Sequence, residues 1–223
     1  MIATICPGNF GSHPVLHTKY TAAAVGDSKA VPVEPANKHH LSLRWEYIAS
    51  FLVILLIAGI RFRLRDFPLE RDEGEYAYAG QLILEGVPPY QLAYNMKLPG
   101  TYAAYAVIMA IFGQTAAGIH LALILVNSAW IFLVFEITRR LIDHTAGVVA
   151  GAIFGLFAIR PLLTGLAGHA THFAALMALA SLYLLLKAVE TNRLAIFFWS
   201  GIFSGLALVM KQPGLFFGIF SAL

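Results

Sequence analysis

One segment of the chain concentrates the side chains that could take part in chemistry. Half of the twelve acidic residues lie at positions 66–100, between apolar runs. Within this segment, Asp72 is the predicted N-cap of a helix, and Glu75 lies three positions later to complete a capping box. Lys97 stands just before Pro99, where a second apolar helix is predicted to begin. A carboxylate that can take up a proton and an ammonium that can neutralise an anion are therefore expected at the heads of two helices in one loop.

The composition places this loop in a membrane protein. Of the 223 residues, 59% are hydrophobic and only 12% are charged, and the mean hydropathy is +0.73. The net charge of +3 comes from basic residues dispersed at the ends of apolar segments, which is typical of membrane topology signals and argues against a nucleic-acid partner. The single cysteine, Cys6, has no partner for an internal disulfide, and no Cys/His pattern predicts a metal site.

The order of apolar segments predicts an all-α polytopic membrane protein. We expect two juxtamembrane helices in the first external loop, one from Asp72 to Gly86 and one over 98–112, which is short for about 30 Å of hydrocarbon. About six transmembrane helices account for the remaining apolar runs, at 45–62, 116–138, 146–159, 172–186, 194–210 and 215–223. The last run stops inside a hydrophobic segment, so the chain is expected to be truncated at its C-terminus.

Two regions are predicted from this pattern. Residues 1–44 are expected to be a disordered cytoplasmic tail, because they offer too little apolar surface to offset chain entropy. Residues 45–223 form the transmembrane domain, incomplete at its C-terminus, with an external loop at about 66–115. If the segment 98–112 does not cross the membrane, the basic turns at 139–140 and 187–193 lie on the same side of the membrane as the tail. The positive-inside rule prefers this arrangement. The predicted location is the cell membrane, with the N-terminus cytoplasmic and the loop outside.

The loop also carries a resemblance to a known family. The letters D-E-G-E-Y-A-Y-A-G-Q-L-I-L-E-G-V-P-P-Y from Asp72, followed by K-L-P-G from Lys97, resemble the first external loop of GT-C type membrane glycosyltransferases. Closest are the protein O-mannosyltransferases and the bacterial lipid A aminoarabinose transferases. In those enzymes an Asp-Glu motif opens one juxtamembrane helix and a Lys-Pro type motif opens a second. The resemblance covers 45–223 and implies a GT-C-like fold.

The resemblance implies transfer of a sugar from a polyprenyl-phosphate donor to a lipid, glycan or protein acceptor at the outer membrane surface, with inversion. It implies that Asp72 is the general base, with Glu73 holding or tuning it. Lys97 would bind the donor phosphate, and Lys211, at the outer end of the fifth span, would reach the same phosphate. The residue types alone leave simpler roles open. Asp72 could merely cap its helix, both lysines could be interfacial anchors, and Glu75 is best explained as a cap.

The sequence departs from the family pattern in the outer turn after the third span. Many relatives carry a second acid there, whereas this turn reads L-T-G-L-A-G-H-A-T-H-F. His169 and His172 could act as an acceptor-site base or as hydrogen-bond partners near neutral pH, or they could simply be polar ends of a helix. No residue pattern supports a metal cofactor, and a divalent metal requirement is left open.

A non-enzymatic membrane protein, such as a transporter or flippase subunit or an assembly scaffold, is the alternative. A transporter more often has ionisable or broken segments near mid-membrane in two matching halves. Here the charges collect beyond one face, which favours surface chemistry on a substrate held in the membrane. The expected partners are a polyprenyl-phosphate sugar and membrane lipids. The chain by itself, lacking a complete bundle, is expected to be inactive although its parent is an enzyme.

Overall fold

The computed structural model describes residues 45–160 and 165–222. Those residues contain eight α-helices and no strand, so the predicted all-α class is confirmed. The tail at 1–44, predicted to be disordered, lies outside the described residues. In chain order the helices are α1 (Trp45–Arg63), α2 (Arg71–Leu84), α3 (Gly100–Phe112), α4 (Ala116–Leu141), α5 (His144–Ala158), α6 (Ala170–Thr191), α7 (Leu194–Met210) and α8 (Gly214–Ala222).

Three of these helices are long and apolar enough to cross a bilayer, namely α1, α4 and α6. The helices α3, α5 and α7 are apolar but shorter, and α8 has 9 residues. The predicted spans over 146–159, 194–210 and 215–223 are thus present as the shorter apolar helices α5, α7 and α8. The chain is an all-α polytopic membrane protein.

Helix α4 is central to the packing, since it contacts α1, α3, α5 and α6, while α6 packs in turn against α7 and α8. The contact between α4 and α5 uses glycines: Gly147, Gly151 and Gly155 are buried and face Ile131 and Phe135 of α4. Small residues at four-residue spacing let two helix backbones approach closely, which is how helices associate where lipid removes the usual hydrophobic driving force.

Several loops are joined at one end of the bundle. Arg61, at the end of α1, is buried and donates to the carbonyl oxygen of Ala158 (2.9 Å) and to that of Gly165. Nδ1 of His120, in the first turns of α4, donates to the carbonyl oxygen of Arg65 at 2.8 Å. The end of α1, the start of α4 and the turn between α5 and α6 therefore meet here.

The opposite end has its own ion pairs. There Nδ1 of His144 lies 3.2 Å from Oε1 of Glu46, and a guanidinium nitrogen of Arg140 lies 2.7 Å from Oε2 of Glu190. Because α1 ends and α4 begins at the same end, the segment α2–α3 leaves and returns on one side. This agrees with the expectation that 98–112 does not cross.

The two juxtamembrane helices pack through an aromatic cluster. Tyr76 of α2 lies against Tyr105 of α3, with ring centroids 5.5 Å apart. Two further residues of α3, Tyr102 and Met109, are buried in the same cluster, together with Phe173 of α6. Tyr102, Tyr105 and Met109, at helical spacing on α3, therefore serve as packing residues.

A close contact between α3 and α7 gives a first prediction. A Cβ added at Gly100 would lie 2.5 to 2.9 Å from backbone atoms of Val209 and Met210, which cannot turn aside as a side chain could. Gly100→Ala is therefore expected to cost about 1–3 kcal/mol of stability through overpacking. Thermal unfolding of the purified protein in detergent measures this as a lower Tm. Gly59→Ala, in α1, is the matched control, because a Cβ there meets nothing within 4 Å. Equal Tm values for the two variants would contradict the close approach.

Candidate active site

Helix α2 begins differently from the prediction. Its N-cap is Glu70, whose side chain accepts a hydrogen bond from the backbone N–H of Asp72 at 2.8 Å. The carboxylate of Glu73 in turn accepts a hydrogen bond from the backbone N–H of Glu70 at 3.0 Å. This second bond completes the capping box. The prediction that Asp72 and Glu75 form this box was wrong, because two acid pairs with the same three-residue spacing overlap and the chain enters the helix at the earlier one.

The side chains of Asp72 and Lys97 lie in one polar site. Their Oδ2 and Nζ atoms are 4.0 Å apart, and the side chains are 26% and 34% exposed, so a substrate could reach both. The other carboxylate oxygen of Asp72 lies 3.3 Å from the guanidinium of Arg71. The structure thus brings together the acid and the lysine that the sequence predicted at the heads of two helices.

Glu75 belongs to this site, although the sequence analysis assigned it to a helix cap. Its Oε2 lies 3.1 Å from Nζ of Lys97, and its Oε1 accepts hydrogen bonds from the hydroxyl of Tyr102 at 3.2 Å and from the side-chain amide of Asn95. The signal was present in the sequence, because Asp72 and Glu75 are three residues apart and share a helix face.

The environment of Lys97 keeps its ammonium charged. Burial favours the neutral amine, but the hydrogen bond with Glu75 and the neighbouring Tyr76 outweigh it, so the pKa of Lys97 is raised above its ordinary value. Nζ lies 4.6 Å from the centroid of the Tyr76 ring, where the electron-rich face attracts a cation. A permanently charged lysine is suited to binding an anion.

The resemblance implied that Glu73 holds or tunes Asp72; in the structure its carboxylate faces the turn between α5 and α6. Its carboxylate is buried, accepts a hydrogen bond from the backbone N–H of Gly168 and lies 3.5 Å from Nε2 of His120. Burial disfavours its charged form, but the hydrogen bonds from His120 and from the N–H groups of Glu70 and Gly168 outweigh it and lower the pKa of Glu73. The ionised Glu73 therefore fixes the turn between α5 and α6 to the start of α2.

The turn between α5 and α6 places a histidine at the site. The hydroxyl of Tyr105 donates to the carbonyl oxygen of Gly168 at 2.7 Å, so Glu73 and Tyr105 together bind both the N–H and the C=O of this residue. The next residue, His169, is the N-cap of α6. Its Nδ1 lies 3.7 Å from Oδ2 of Asp72 and its Nε2 lies 3.9 Å from Oε2 of Glu70. The predicted His169 thus lies beside the predicted acid.

The second histidine occupies a different position. His172 is buried in the first turn of α6, and its ring stacks on Trp130 of α4 with centroids 5.3 Å apart. Its ring is 6.4 Å from that of His169. His172 therefore lies behind His169, within the helix packing.

Lys211 lies at the same end of the bundle. It caps the C-terminus of α7, and its Nζ contacts Oγ1 of Thr171 at 2.6 Å. The neighbouring Gln212 donates to the carbonyl oxygen of Met96 at 3.1 Å, just before Lys97. The turn after α7 is thereby tied to the loop that carries the predicted phosphate-binding lysine.

Three of the residues at this site could hold a metal ion. Glu70, Asp72 and His169 each offer one ligand atom, and these atoms lie within 4.8 Å of one another. Mixed carboxylate and imidazole sets suit divalent transition metals. One of the carboxylates is already committed, because Oε2 of Glu70 accepts the capping hydrogen bond from the Asp72 N–H.

The fold and the site are compatible with the class that the loop resembles, the GT-C type membrane glycosyltransferases, and a family match supports that class. Residues 97–223, more than half of the chain, match the family described as dolichyl-phosphate-mannose-protein mannosyltransferase, and the chain belongs to this family. Its members are glycosyltransferases that use polyprenyl-phosphate-linked sugars. No curated protein and no solved structure matches the chain.

The matched region has a boundary that matters for the site. It begins at Lys97 and includes His169 and Lys211, whereas Asp72 and Glu73 precede it. The assignment of Asp72 as a general base therefore depends on its position relative to Lys97 and His169 and not on the family match.

The anchoring role of Glu73 gives a second prediction. Glu73→Ala leaves the Gly168 N–H and His120 without their buried partner, and is expected to lower the free energy of unfolding by about 3 kcal/mol. Glu73→Gln, which keeps an acceptor, should cost less. Because the folded state holds the pKa of Glu73 below its ordinary 4.5, the stabilisation is present at neutral pH and is lost as the pH falls through that lower value.

Thermal unfolding in detergent at pH 7, and then at a series of acidic pH values below the ordinary 4.5 of a glutamate, measures both effects. Glu85→Ala, at an exposed acid after α2, is the charge-matched control and should stay within about 0.5 kcal/mol of the parent. A Glu73→Ala variant as stable as the control would refute the anchor.

Proposed function

We propose that this protein transfers a sugar from a polyprenyl-phosphate donor to a hydroxyl or amine acceptor in a single inverting displacement. The observation that carries the proposal is the 4.0 Å separation of the Asp72 carboxylate and the Lys97 ammonium in a member of a polyprenyl-phosphate glycosyltransferase family. The negative carboxylate suits the acceptor, which must lose a proton, and the positive ammonium suits the phosphate, which leaves as an anion.

Each bond change has a matching group. Asp72, as general base, takes the proton from the acceptor while the acceptor oxygen or nitrogen forms a bond to the anomeric carbon. The bond from that carbon to the phosphate oxygen breaks, and its electron pair leaves with the phosphate. Lys97 neutralises the charge that develops there. A phosphate leaves as an anion, so the donor end needs a cation and no acid.

Two further side chains support these roles. His169, with Nδ1 3.7 Å from Oδ2 of Asp72, orients the base and can accept its proton in turn. Lys211 adds a second positive charge at the same end of the bundle and binds the lipid phosphate with Lys97. His172 supports the ring of His169 from behind, and Glu73 contributes by holding the turn on which His169 stands.

The orientation is part of this proposal and depends on the basic turns at 139–140 and 187–193, and not on the arginines at the end of α1, which lie at the site end. The positive-inside rule places the end with the basic turns in the cytoplasm, together with the N-terminus. The site then faces the outer side of the cell membrane, where a prenyl-linked sugar and its acceptor would meet.

Replacing the base tests the chemistry. Asp72→Asn removes the proton acceptor but keeps the shape of the side chain, so transfer is expected to fall by about a thousandfold while the protein stays folded. The assay follows radiolabelled polyprenyl-phosphate sugars in membranes that carry the complete polypeptide. Full activity in this variant refutes the base, and movement of the labelled lipid across the bilayer without any transfer would indicate a transporter or flippase instead.

Replacing the lysine tests the donor site. Lys97→Ala removes a charge-assisted contact worth about 1.5–3 kcal/mol, so the KM for the donor should rise by about 10- to 100-fold. Lys187→Ala, at the opposite end of α6, is the control and should leave the KM unchanged. An increase confined to the KM for the acceptor would show that Lys97 does not bind the phosphate.

A further inference from the structure

We propose that Glu75 is a positioning residue. It binds the Lys97 ammonium near Asp72, prevents a direct hydrogen bond between Lys97 and Asp72, and lets the ammonium move to the donor phosphate when the donor binds. The inference depends on the proposed role of Lys97 in binding that phosphate. It assigns a function to a residue whose type alone suggested only a helix cap.

The distances show which acid holds the lysine. Nζ of Lys97 lies 3.1 Å from Oε2 of Glu75 but 4.0 Å from Oδ2 of Asp72. The first is a charge-assisted hydrogen bond and the second is a longer ionic contact. Glu75 is therefore the main partner of the ammonium, and Asp72 keeps its carboxylate available for another partner.

Glu75 also fixes the place of the lysine in the fold. It stands one turn after Asp72 on α2, while Lys97 comes from the loop and Tyr102 from the first turn of α3. Asn95 reinforces the loop, because its amide nitrogen donates to Glu75 and its Oδ1 accepts from the Lys97 backbone N–H at 3.3 Å. An exposed ion pair alone contributes little, but here one carboxylate joins two helices and the loop between them.

The second oxygen of Glu75 makes an exchange feasible. Oε1 accepts from the hydroxyl of Tyr102 and the amide of Asn95, whereas Oε2 takes the Lys97 ammonium. When a phosphate draws the ammonium away, the carboxylate keeps its two neutral donors and is not left unpaired, which is the costly outcome for a partly buried acid. The lysine can thus change partners at low cost.

Without Glu75, the lysine would turn to the base. Arg71 and the imidazole of His169 also face Asp72, at 3.3 and 3.7 Å, so a close ammonium would be a third neighbour and would occupy the oxygen that must take the acceptor's proton. Glu75 prevents this by giving Lys97 a nearer carboxylate. The same carboxylate repels the donor phosphate slightly, so efficient turnover comes with weaker phosphate binding.

Glu75→Gln separates these two effects. The variant should bind farnesyl phosphate about 3-fold more tightly, since one negative charge beside the phosphate is gone. It should turn over labelled donor about 10-fold more slowly, since Lys97 then pairs with Asp72. Structural damage would weaken binding and slow turnover together. Glu85→Gln makes the same change in net charge after α2, at an exposed site, and should alter neither value.

The measurements are the Kd for farnesyl phosphate and kcat, both on the complete polypeptide in nanodiscs. In a Lys97→Ala background, Glu75→Gln should no longer slow turnover, since no ammonium remains to move. Weaker binding in the single variant, or values equal to those of Glu85→Gln, would overturn the role of Glu75. If Lys97→Ala itself leaves farnesyl phosphate binding unchanged, the proposed donor site fails instead, so the two failures are distinguishable.

Discussion

The buried carboxylate of Glu73 is the interaction on which the rest of the site depends. One oxygen completes the cap of α2 through the Glu70 N–H, and the other accepts the Gly168 N–H beside His120. A single side chain thus fixes the start of α2 and the turn before α6. Because it is ionised and almost fully enclosed, the loss of any of these donors leaves a buried charge with fewer hydrogen bonds, which is costly. The position of His169 relative to Asp72 follows from this constraint.

The surrounding charges make such a carboxylate tolerable at a membrane boundary. Arg61 is buried nearby and is held by the carbonyl oxygens of Ala158 and Gly165. His120 is held by the carbonyl oxygen of Arg65. The Arg61 guanidinium and the His120 imidazole are therefore fixed by backbone acceptors, and His120 also contacts Glu73, so the network requires little reorganisation. Charged groups near hydrocarbon are costly unless they are paired in this way.

The sequence predicted what depends on local composition and failed where the contact is distant along the chain. Apolar runs identified the membrane helices, and residue type identified Asp72 and Lys97, because unpaired charges stand out in an apolar chain. The role of Glu73 in fixing the turn before α6 could not be predicted from the sequence, because its partners His120 and Gly168 are many residues away along the chain. The pairing of Glu75 with Lys97 could have been suspected from the helix face that Glu75 shares with Asp72.

The position of the cap decides which acids face Lys97. Glu70 and Glu73 are three residues apart and form one pair, and Asp72 and Glu75 are three apart and form another. Within the helix, Glu75 lies two residues after Glu73, or about 200° around the axis, so their side chains face opposite ways, while the carboxylate of Asp72 stays near that of Glu70 beside His169. Capping by Glu70 therefore turns Asp72 and Glu75 toward Lys97. Had Asp72 capped the helix, as its spacing equally allowed, its carboxylate would have been committed to backbone N–H groups and lost to the site.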